Sequence, residues 1–208
     1  LVVSVPLGIL AALKHNSIWD SLATALATVG VSLPKFWFGL VLMIVFSLRL
    51  GWLPSTGSAE LSEGLGTFLS YIIMPAASLA LGMAATQTRM IRSSMLDVLN
   101  QDYVRYARSK GLRERVVIWG HALKNAMIPV ITVIGGEVGG LLGGAVVTES
   151  IFSWPGVGRL MMNSISKRDY PMIQGITLML CISYLLVNLL IDIVYAWVDP
   201  RIRLDKKS

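Results

Sequence analysis

The sequence has little charge. Only 14% of its 208 residues are Asp, Glu, Lys or Arg, while 54% are hydrophobic. A soluble domain carries about 25% charged residues. The scarcity of charge comes with long apolar runs, which are typical of helices that cross a lipid bilayer. The composition therefore predicts an all-α fold, a polytopic bundle of transmembrane helices.

Several kinds of functional site are also missing. The single cysteine, Cys181, cannot form a disulfide within the chain. No Gly-x4-Gly-Lys-Ser/Thr phosphate loop occurs, so we expect the chain not to bind ATP itself. His15 and His121 are far apart and lack metal-ligand spacing. We therefore expect no enzyme activity, no metal ligands and no cofactor bound by this chain.

The positive charge is unevenly distributed. A net charge of +6 could suggest a nucleic-acid partner. The positive residues instead gather beside the apolar runs, as orientation signals of membrane helices do, so we expect no nucleic acid. Segment 89–125 holds eight Lys or Arg against three acidic residues, and the tail from Arg201 is also basic. The positive-inside rule places both in the cytoplasm and the loops 51–66 and 149–171 outside.

The apolar runs predict the membrane spans. We predict full spans at about 22–48, 68–88, 126–148 and 172–198, and a partial span at 1–13. A helix over 1–13 would extend only about 20 Å, whereas the hydrocarbon core is about 30 Å thick. The chain also begins without methionine. We therefore expect one transmembrane domain over 1–208 that is incomplete at its N-terminus.

The span 126–148 contains two unusual features. Glycines form two ridges at spacing four, at positions 135, 136, 139, 140, 143 and 144. Such ridges let a neighbouring helix approach closely, for packing alone or for sliding during transport. Glu137 lies at the middle of this span, where a carboxylate must face protein or water. It could bind substrate or a proton, or hydrogen-bond a neighbouring helix.

Two polar stripes also enter the membrane. The last span carries one at helical spacing, formed by Gln174, Thr177, Cys181, Tyr184, Asn188, Asp192 and Tyr195. Such a face lines a water path or supplies hydrogen bonds between helices. A shorter stripe consists of Thr24, Thr28, Ser32 and Lys35, beside Pro34. The candidates for a translocation path are Lys35, Glu137, Tyr184, Asn188 and Asp192.

The cytoplasmic segment has helical periodicity on both sides of Gly111. One apolar stripe precedes this glycine and another follows it: Ile91, Met95, Val98, Leu99, Tyr103 and Tyr106, then Leu112, Val116, Trp119 and Leu123. Glycine commonly ends a helix. The pattern predicts two amphipathic helices that meet at a basic turn. A basic amphipathic helix can also lie on anionic lipid, which remains an alternative.

Several separated motifs resemble the inner-membrane permeases of dipeptide, oligopeptide and nickel ABC importers. They are, in the order of that family, Gly51–Gly57, Arg92–Leu99, Asp102–Leu112, His121–Val130, Phe152–Leu160, Arg168–Pro171 and Asp199–Arg203. The resemblance covers essentially the whole chain. It implies the type I ABC importer permease fold and a location in the bacterial inner membrane.

The resemblance also implies a coupling helix that docks on an ATP-binding subunit. The general importer pattern is Glu-Ala-Ala, three residues, Gly, nine residues, then Ile-x-Leu-Pro. Ala107, Gly111 and Leu123 match it, whereas the Glu, the first Ala, the Ile and the Pro are absent. A salt bridge from the usual Glu is therefore excluded. The expected docking residues are Tyr103, Arg105, Ala107, Arg108, Lys110, Gly111, Leu112 and Leu123.

Import by alternating access is the function that the resemblance implies. The expected partners are two ABC ATPase subunits that hold ATP and Mg²⁺, a related second permease, a periplasmic or lipid-anchored binding protein, and membrane lipid. Dipeptides, longer peptides, glutathione-like peptides and nickel chelates all remain open as cargo. The competing hypothesis is a secondary transporter or channel that uses Glu137 and Asp192 for protons or ions.

Overall fold

The computed structural model describes residues 1–198, except for the side chains of 138, 139, 142–144, 192 and 194–198. Helices make up its regular structure, and no strand occurs in this described part. The α-helices are α1 Ser4–Leu13, α2 Ile18–Ser32, α3 Lys35–Leu42, α4 Leu65–Leu99, α5 Asp102–Ser109, α6 Glu114–Val116, α7 Leu123–Gly144, α8 Val146–Ile151, α9 Val157–Ser166 and α10 Tyr170–Val198. Two π-helical segments, Met43–Arg49 and Val117–Ala122, extend α3 and precede α7.

Within residues 1–198, three helical stretches are long and apolar enough to cross a membrane, namely Leu65–Leu99, Glu114–Glu137 and Tyr170–Ile191. The predicted span 22–48, whose middle we expect Pro34 to break, consists of two helices, because α2 ends at Ser32 and α3 begins at Lys35. Pro34 has extended backbone angles, with φ −62° and ψ 129°. Proline disfavours the α conformation of the residue before it, so the break falls at this point. Helix α2 and the helix Lys35–Arg49 supply a fourth span if the two are counted together as one broken span.

The helices do not end where the predicted membrane spans end. Helix α4 continues past Thr88, the predicted end of its span, as far as Leu99, and Ile91 and Met95 of the predicted cytoplasmic stripe are fully buried on its last turns. Helix α7 ends at Gly144, ahead of the predicted limit at Thr148. The outward loop 149–171 contains the end of α8 and all of α9. The sequence motif 199–203 and the basic tail lie outside the described residues.

The chain forms two compact units. Among the described residues, the first contains Leu1–Val31, Met83–Glu137 and 189–198. Its core is a cluster of buried apolar side chains from α1, α4 and the helical stretch around α7: Ile9, Ala12, Ile91, Met95, Ala122, Ala126 and Val130. Gly8 lets α1 approach α4, because a Cβ at this position would lie 2.7 Å from two side-chain carbons of Ile91.

A buried ion pair joins the start of α2 to the end of α4 in the first unit. The Asp20 carboxylate is only 5% exposed and accepts hydrogen bonds from Arg92, with Nη2 2.8 Å from Oδ2. The backbone N–H of Asn16 also donates to Asp20, at 3.0 Å, and the ring of His15 lies 3.1 Å away. A buried carboxylate needs such partners to offset its lost hydration. The pair therefore holds the α1–α2 turn against α4.

A chain of hydrogen bonds connects three helices of the same unit. The Ser4 hydroxyl on α1 donates to Gln87 Oε1 on α4 at 3.0 Å, and both side chains are buried. Gln87 Nε2 in turn donates to Glu137 Oε2 on α7 at 2.8 Å. Gln87 is the centre of this chain because its amide supplies both the acceptor and the donor.

Among the glycines of the α7 ridges that the structure describes, Gly135 makes a close contact with another helix. A Cβ at Gly135 would lie 2.5 Å from Cγ2 of Ile191 on α10. At Gly136 and Gly140, an added Cβ would meet no atom of the described chain within 4 Å. The predicted close approach is therefore confirmed at Gly135, while Gly136 and Gly140 of the neighbouring ridge face open space.

The second unit comprises Ser32–Gly82 and Val138–Asn188. The largest fully buried side chain of this unit is that of Phe152, after α8. A Cβ added to Gly39 would lie 3.2 Å from the Phe152 ring. The Phe152 carbonyl accepts a hydrogen bond from Gly57 N–H at 2.9 Å. The carboxylate of Glu149 accepts from the N–H of Arg159 at 2.9 Å, at the start of α9. These contacts order the predicted outward loop 149–171.

Adding one methyl group should distinguish the two glycine ridges. We expect Gly135→Ala to lower the free energy of unfolding by about 1–3 kcal/mol, because the β-branched Ile191 has to move. The matched variant Gly136→Ala should be neutral or slightly stabilising. Unfolding of the purified protein in mixed micelles measures both changes. Equal effects at the two positions would contradict the close contact.

Removing the central amide should break the buried hydrogen-bond chain. We expect Gln87→Leu to lower the free energy of unfolding by about 1–2 kcal/mol, because Ser4 and Glu137 both lose a partner. The control Glu137→Gln keeps an oxygen that accepts from Gln87, so it should cost less than about 0.5 kcal/mol. The same micelle unfolding experiment measures both. A larger loss for Glu137→Gln than for Gln87→Leu would contradict the role given to Gln87.

Candidate functional site

The predicted cytoplasmic turn forms a distinct element, residues 102–116, which we call the coupling element. Its first part is α5, which follows Gln101 in extended conformation and has Asp102 in its first turn, where a negative charge favours the helix dipole. The helix ends before Gly111, whose φ of +76° lies in the left-handed region that favours glycine. The prediction that Gly111 ends a helix is confirmed.

The buried face of α5 differs from the predicted stripe. Val104 is fully buried and Ala107 nearly so, and both pack against Val117. Tyr103 and Tyr106 were predicted to continue the apolar stripe of α4, but both are exposed. The chain leaves the helix at Asn100 and Gln101, so α5 begins a new helix with a different orientation and the spacing counted across this break does not hold.

The predicted second stripe is also exposed along most of its length. Trp119 is 56% exposed, and Leu112 and Val116 are exposed as well. Val117 and Ala122 are the buried residues here, and Leu123 packs partly against the first unit's core. A π segment carries more residues per turn than an α-helix, so a spacing of three and four residues does not keep to one face.

Charged and aromatic side chains surround the turn. Arg108 donates to Glu114 across Gly111, with Nε 2.8 Å from Oε1. Lys110 Nζ lies 4.6 Å from the ring centre of Tyr106, a cation–π contact. Arg105 is exposed, and its Nη1 lies 4.0 Å from Oδ1 of Asp102. Exposed ion pairs contribute little to stability, so these charges remain available to a partner.

Tyr103 makes a hydrogen bond that the sequence did not predict. The Asn125 amide nitrogen, in the first turn of α7, donates to the Tyr103 hydroxyl at 2.9 Å. The same nitrogen lies 2.9 Å from the carbonyl oxygen of His121. Asn125 stands within the motif 121–130, but no feature of that motif names a partner 22 residues earlier.

The predicted path residues lie in both units. Lys35 begins α3, and its side chain lies against Gly82. A Cβ added to Gly82 would lie 3.5 Å from Cε of Lys35. Glu137 is half-buried and paired with Gln87, the partner that the sequence could not name. On α10, Tyr184 is exposed and Asn188 half-buried, one turn apart. The side chain of Asp192 lies outside the described residues.

The polar stripe of α10 is exposed over most of its described length. Ile176 on a neighbouring face is buried, whereas four members of the stripe are exposed: Gln174, Thr177, Cys181 and Tyr184. Polar side chains are costly against lipid, so this face requires water or another protein surface. Its role in a translocation path stays a prediction.

Curated relatives of this sequence are permease proteins. It is 45% identical over 204 residues to the oligopeptide transport system permease protein AppB of Bacillus subtilis, covering 97% of this chain and 65% of AppB. It is 43% identical over 203 residues to the glutathione transport system permease protein GsiC of Pectobacterium atrosepticum, covering 98% and 64%. The dipeptide transport system permease protein DppB of Escherichia coli K12 is 43% identical over 224 residues, covering 97% and 66%. The chain thus spans about two-thirds of their length.

A solved structure shares the fold. A chain of the MetNI methionine ABC transporter, in a crystal form with inward facing conformations, matches with a TM-score of 0.73 at 15% identity. The match covers 95% of this chain and 87% of the other. This likeness confirms the predicted helical fold of a type I ABC importer permease. Residues 4–204 match the model of one family, and the chain belongs to that family, the binding-protein-dependent transport system inner membrane components.

Proposed function

We propose that this chain is the permease part of an ATP-driven importer that moves peptides or a related small solute into the cytoplasm. The observation that carries the proposal is the coupling element, an amphipathic helix anchored by Val104 and Ala107 that ends at Gly111 with φ +76°. Its outer surface is basic and aromatic. The peptide permeases named above, at 43–45% identity, support the same class of function.

The inner and outer faces of the coupling element have different roles in docking. Ala107 and Val104 hold the helix to the chain, while Tyr103, Arg105, Lys110 and Leu112 are presented outward. Arg108 and Glu114 brace the turn from outside. A partner with a groove of complementary negative charge would take this helix end-on, with the left-handed Gly111 at its tip. An ABC ATPase subunit is the partner that we propose.

Other subunits complete the importer. Two ATPase subunits would bind ATP and Mg²⁺ and hydrolyse the nucleotide, so the permease chain itself would not be an enzyme. A related second permease would complete the path, next to the exposed polar face of α10. A periplasmic or lipid-anchored binding protein would deliver cargo to the outward loops, including α9. The relatives' names favour di- to oligopeptides or glutathione as cargo.

A secondary transporter or channel is the weaker hypothesis. It would require Glu137 to exchange protons or ions as its main task. Oε2 of this carboxylate accepts a hydrogen bond from Gln87, and the amide oxygen of Gln87 accepts one from the Ser4 hydroxyl. This arrangement gives Glu137 a structural role in joining α4 and α7, so a coupling-ion role is not needed to explain why an acid is present there.

Co-purification tests the ATPase partner. The full-length protein, purified in mild detergent with its natural partners, should retain two ATPase subunits. Liposomes that contain the complex should take up peptide only when ATP is present on the side of the membrane where the ATPase subunits lie. The membrane chains alone should show no uptake under a proton or sodium gradient. Gradient-driven uptake without any ATPase would overturn the proposal.

Substitution of Gly111 tests the docking turn. We expect Gly111→Trp to lower ATP-dependent uptake by at least about tenfold, because a bulky side chain at φ +76° strains the turn and blocks its approach to a partner. Gly111→Asn is the matched control, since asparagine tolerates this backbone conformation far better, and it should retain most of the uptake. Both variants should insert into the membrane normally. Unchanged uptake by Gly111→Trp would show that the turn does not dock.

A further inference from the structure

We propose that Asn125 is a positioning residue for energy coupling, which joins the coupling element to α7 through its hydrogen bond with Tyr103. This proposal rests on the proposed importer function. The bond is direct, with Asn125 Nδ2 2.9 Å from the Tyr103 hydroxyl. It connects the first turn of α5, inside the coupling element, with the first turn of the long membrane helix α7.

The amide of Asn125 is held in place by its own helix. Its nitrogen also donates to the carbonyl oxygen of His121 at 2.9 Å, one turn earlier. An amide nitrogen carries two hydrogens, so both bonds can form at once. The backbone contact therefore orients the Asn125 side chain toward Tyr103, which lies on helix α5. Both ends of the link belong to helices, which makes it stiffer than a contact between loops.

The covalent route between the same two helices is compliant. It passes first through Gly111 in a left-handed conformation, then through the single turn of α6, and then through the π segment Val117–Ala122. Hydrogen bonds in a π segment span five residues, and such segments are rare and are often found at functional sites. A displacement of α5 can be absorbed along this route. The Tyr103–Asn125 bond bypasses all three parts, although 22 residues separate the pair in sequence.

Apolar packing on a neighbouring face of α5 complements this bond. Val104 and Ala107 lie against Val117, which belongs to the π segment and not to α7 itself. Such contact opposes separation because it keeps apolar surface out of water, but it allows sliding, since it is not directional. The hydrogen bond supplies a direction and acts on α7. A pull on α5 by a docked partner would therefore reach α7 through Asn125.

Movement of α7 would reach two further helices of the first unit. Glu137, later on α7, accepts from Gln87 on α4, and Gln87 accepts from Ser4 on α1. The same side-chain chemistry, a hydrogen bond between helices, thus recurs at both ends of α7 within this unit. Asn125 is its entry point from the coupling element.

The exposure of Tyr103 and Asn125 distinguishes a role in energy coupling from a role in stabilising the fold. Tyr103 and Asn125 are both exposed, and an exposed hydrogen bond contributes little to folding because water replaces it. Loss of the bond should therefore leave the fold and the insertion of the chain unchanged. It should instead change how much transport follows from each ATP hydrolysed. A residue with a purely structural role would show the opposite pattern.

A double-mutant cycle tests the link. The full-length protein, in complex with its ATPases, second permease and binding protein, is placed in liposomes, and uptake of radiolabelled trialanine is measured together with ATP hydrolysis. Tyr103→Phe removes only the hydroxyl, and Asn125→Leu removes the amide at similar size. We expect each to lower the number of peptides imported per ATP by about three- to tenfold. The double variant should be no worse than the poorer single one, because both remove the same bond.

Matched controls separate the possible failures. Tyr170→Phe, which removes a hydroxyl from an exposed tyrosine at the start of α10, should behave like the wild type. The thermal midpoint should be unchanged in all variants, and ATPase co-purification should be unchanged in Asn125→Leu, which alters no residue of the docking surface. Multiplicative effects of the two single variants, or wild-type coupling in both of them, would overturn the role of Asn125 and leave the importer function intact. Absence of ATP-dependent trialanine uptake by the wild type would overturn the proposed peptide importer, and this role with it.

Discussion

Polar groups placed among apolar helices must find partners within the protein, and this constraint governs the first unit of the structure. The Asp20 carboxylate is almost completely buried and is matched by Arg92, which joins the start of α2 to the end of α4. Gln87 satisfies Glu137 and Ser4 together, and so joins α1, α4 and α7. Each costly group is therefore also a bond between helices, and the apolar core assembles around these bonds.

The same unit supports the coupling element. Its inner face is small and apolar, so α5 lies close to the chain, while its outer face carries the aromatic and basic side chains. Gly111 permits a sharp end to the helix, and Asn125 connects its beginning to α7. An element that is anchored on one side, open on the other and linked to a membrane helix is suited to receiving a force from a cytoplasmic partner. This arrangement connects the fold to the proposed importer function.

Much of the architecture was predictable from residue patterns. The scarcity of charge and the long apolar runs indicated membrane helices, and the separated motifs indicated the permease family, which the comparisons confirm. Gly111 was predicted to end a helix because glycine tolerates the left-handed conformation. The exposed faces of α5 and of the following π segment were not predictable. A helical wheel assumes one unbroken α-helix, whereas this stretch contains a break after Leu99 and a π segment.

The sequence by itself determined the class of protein, the approximate position of the apolar helices, the family and the location of the turn, because these depend on composition, periodicity and local backbone preference. Only the tertiary structure decided which polar groups meet. Gln87 with Glu137, Arg92 with Asp20, and Asn125 with Tyr103 are separated by 50, 72 and 22 residues. Spacing along one helix predicts which side chains share a face, but it contains no distance between faces of different helices. Those distances depend on how closely the helices pack, as at Gly8 and Gly135, and packing is a property of the folded chain.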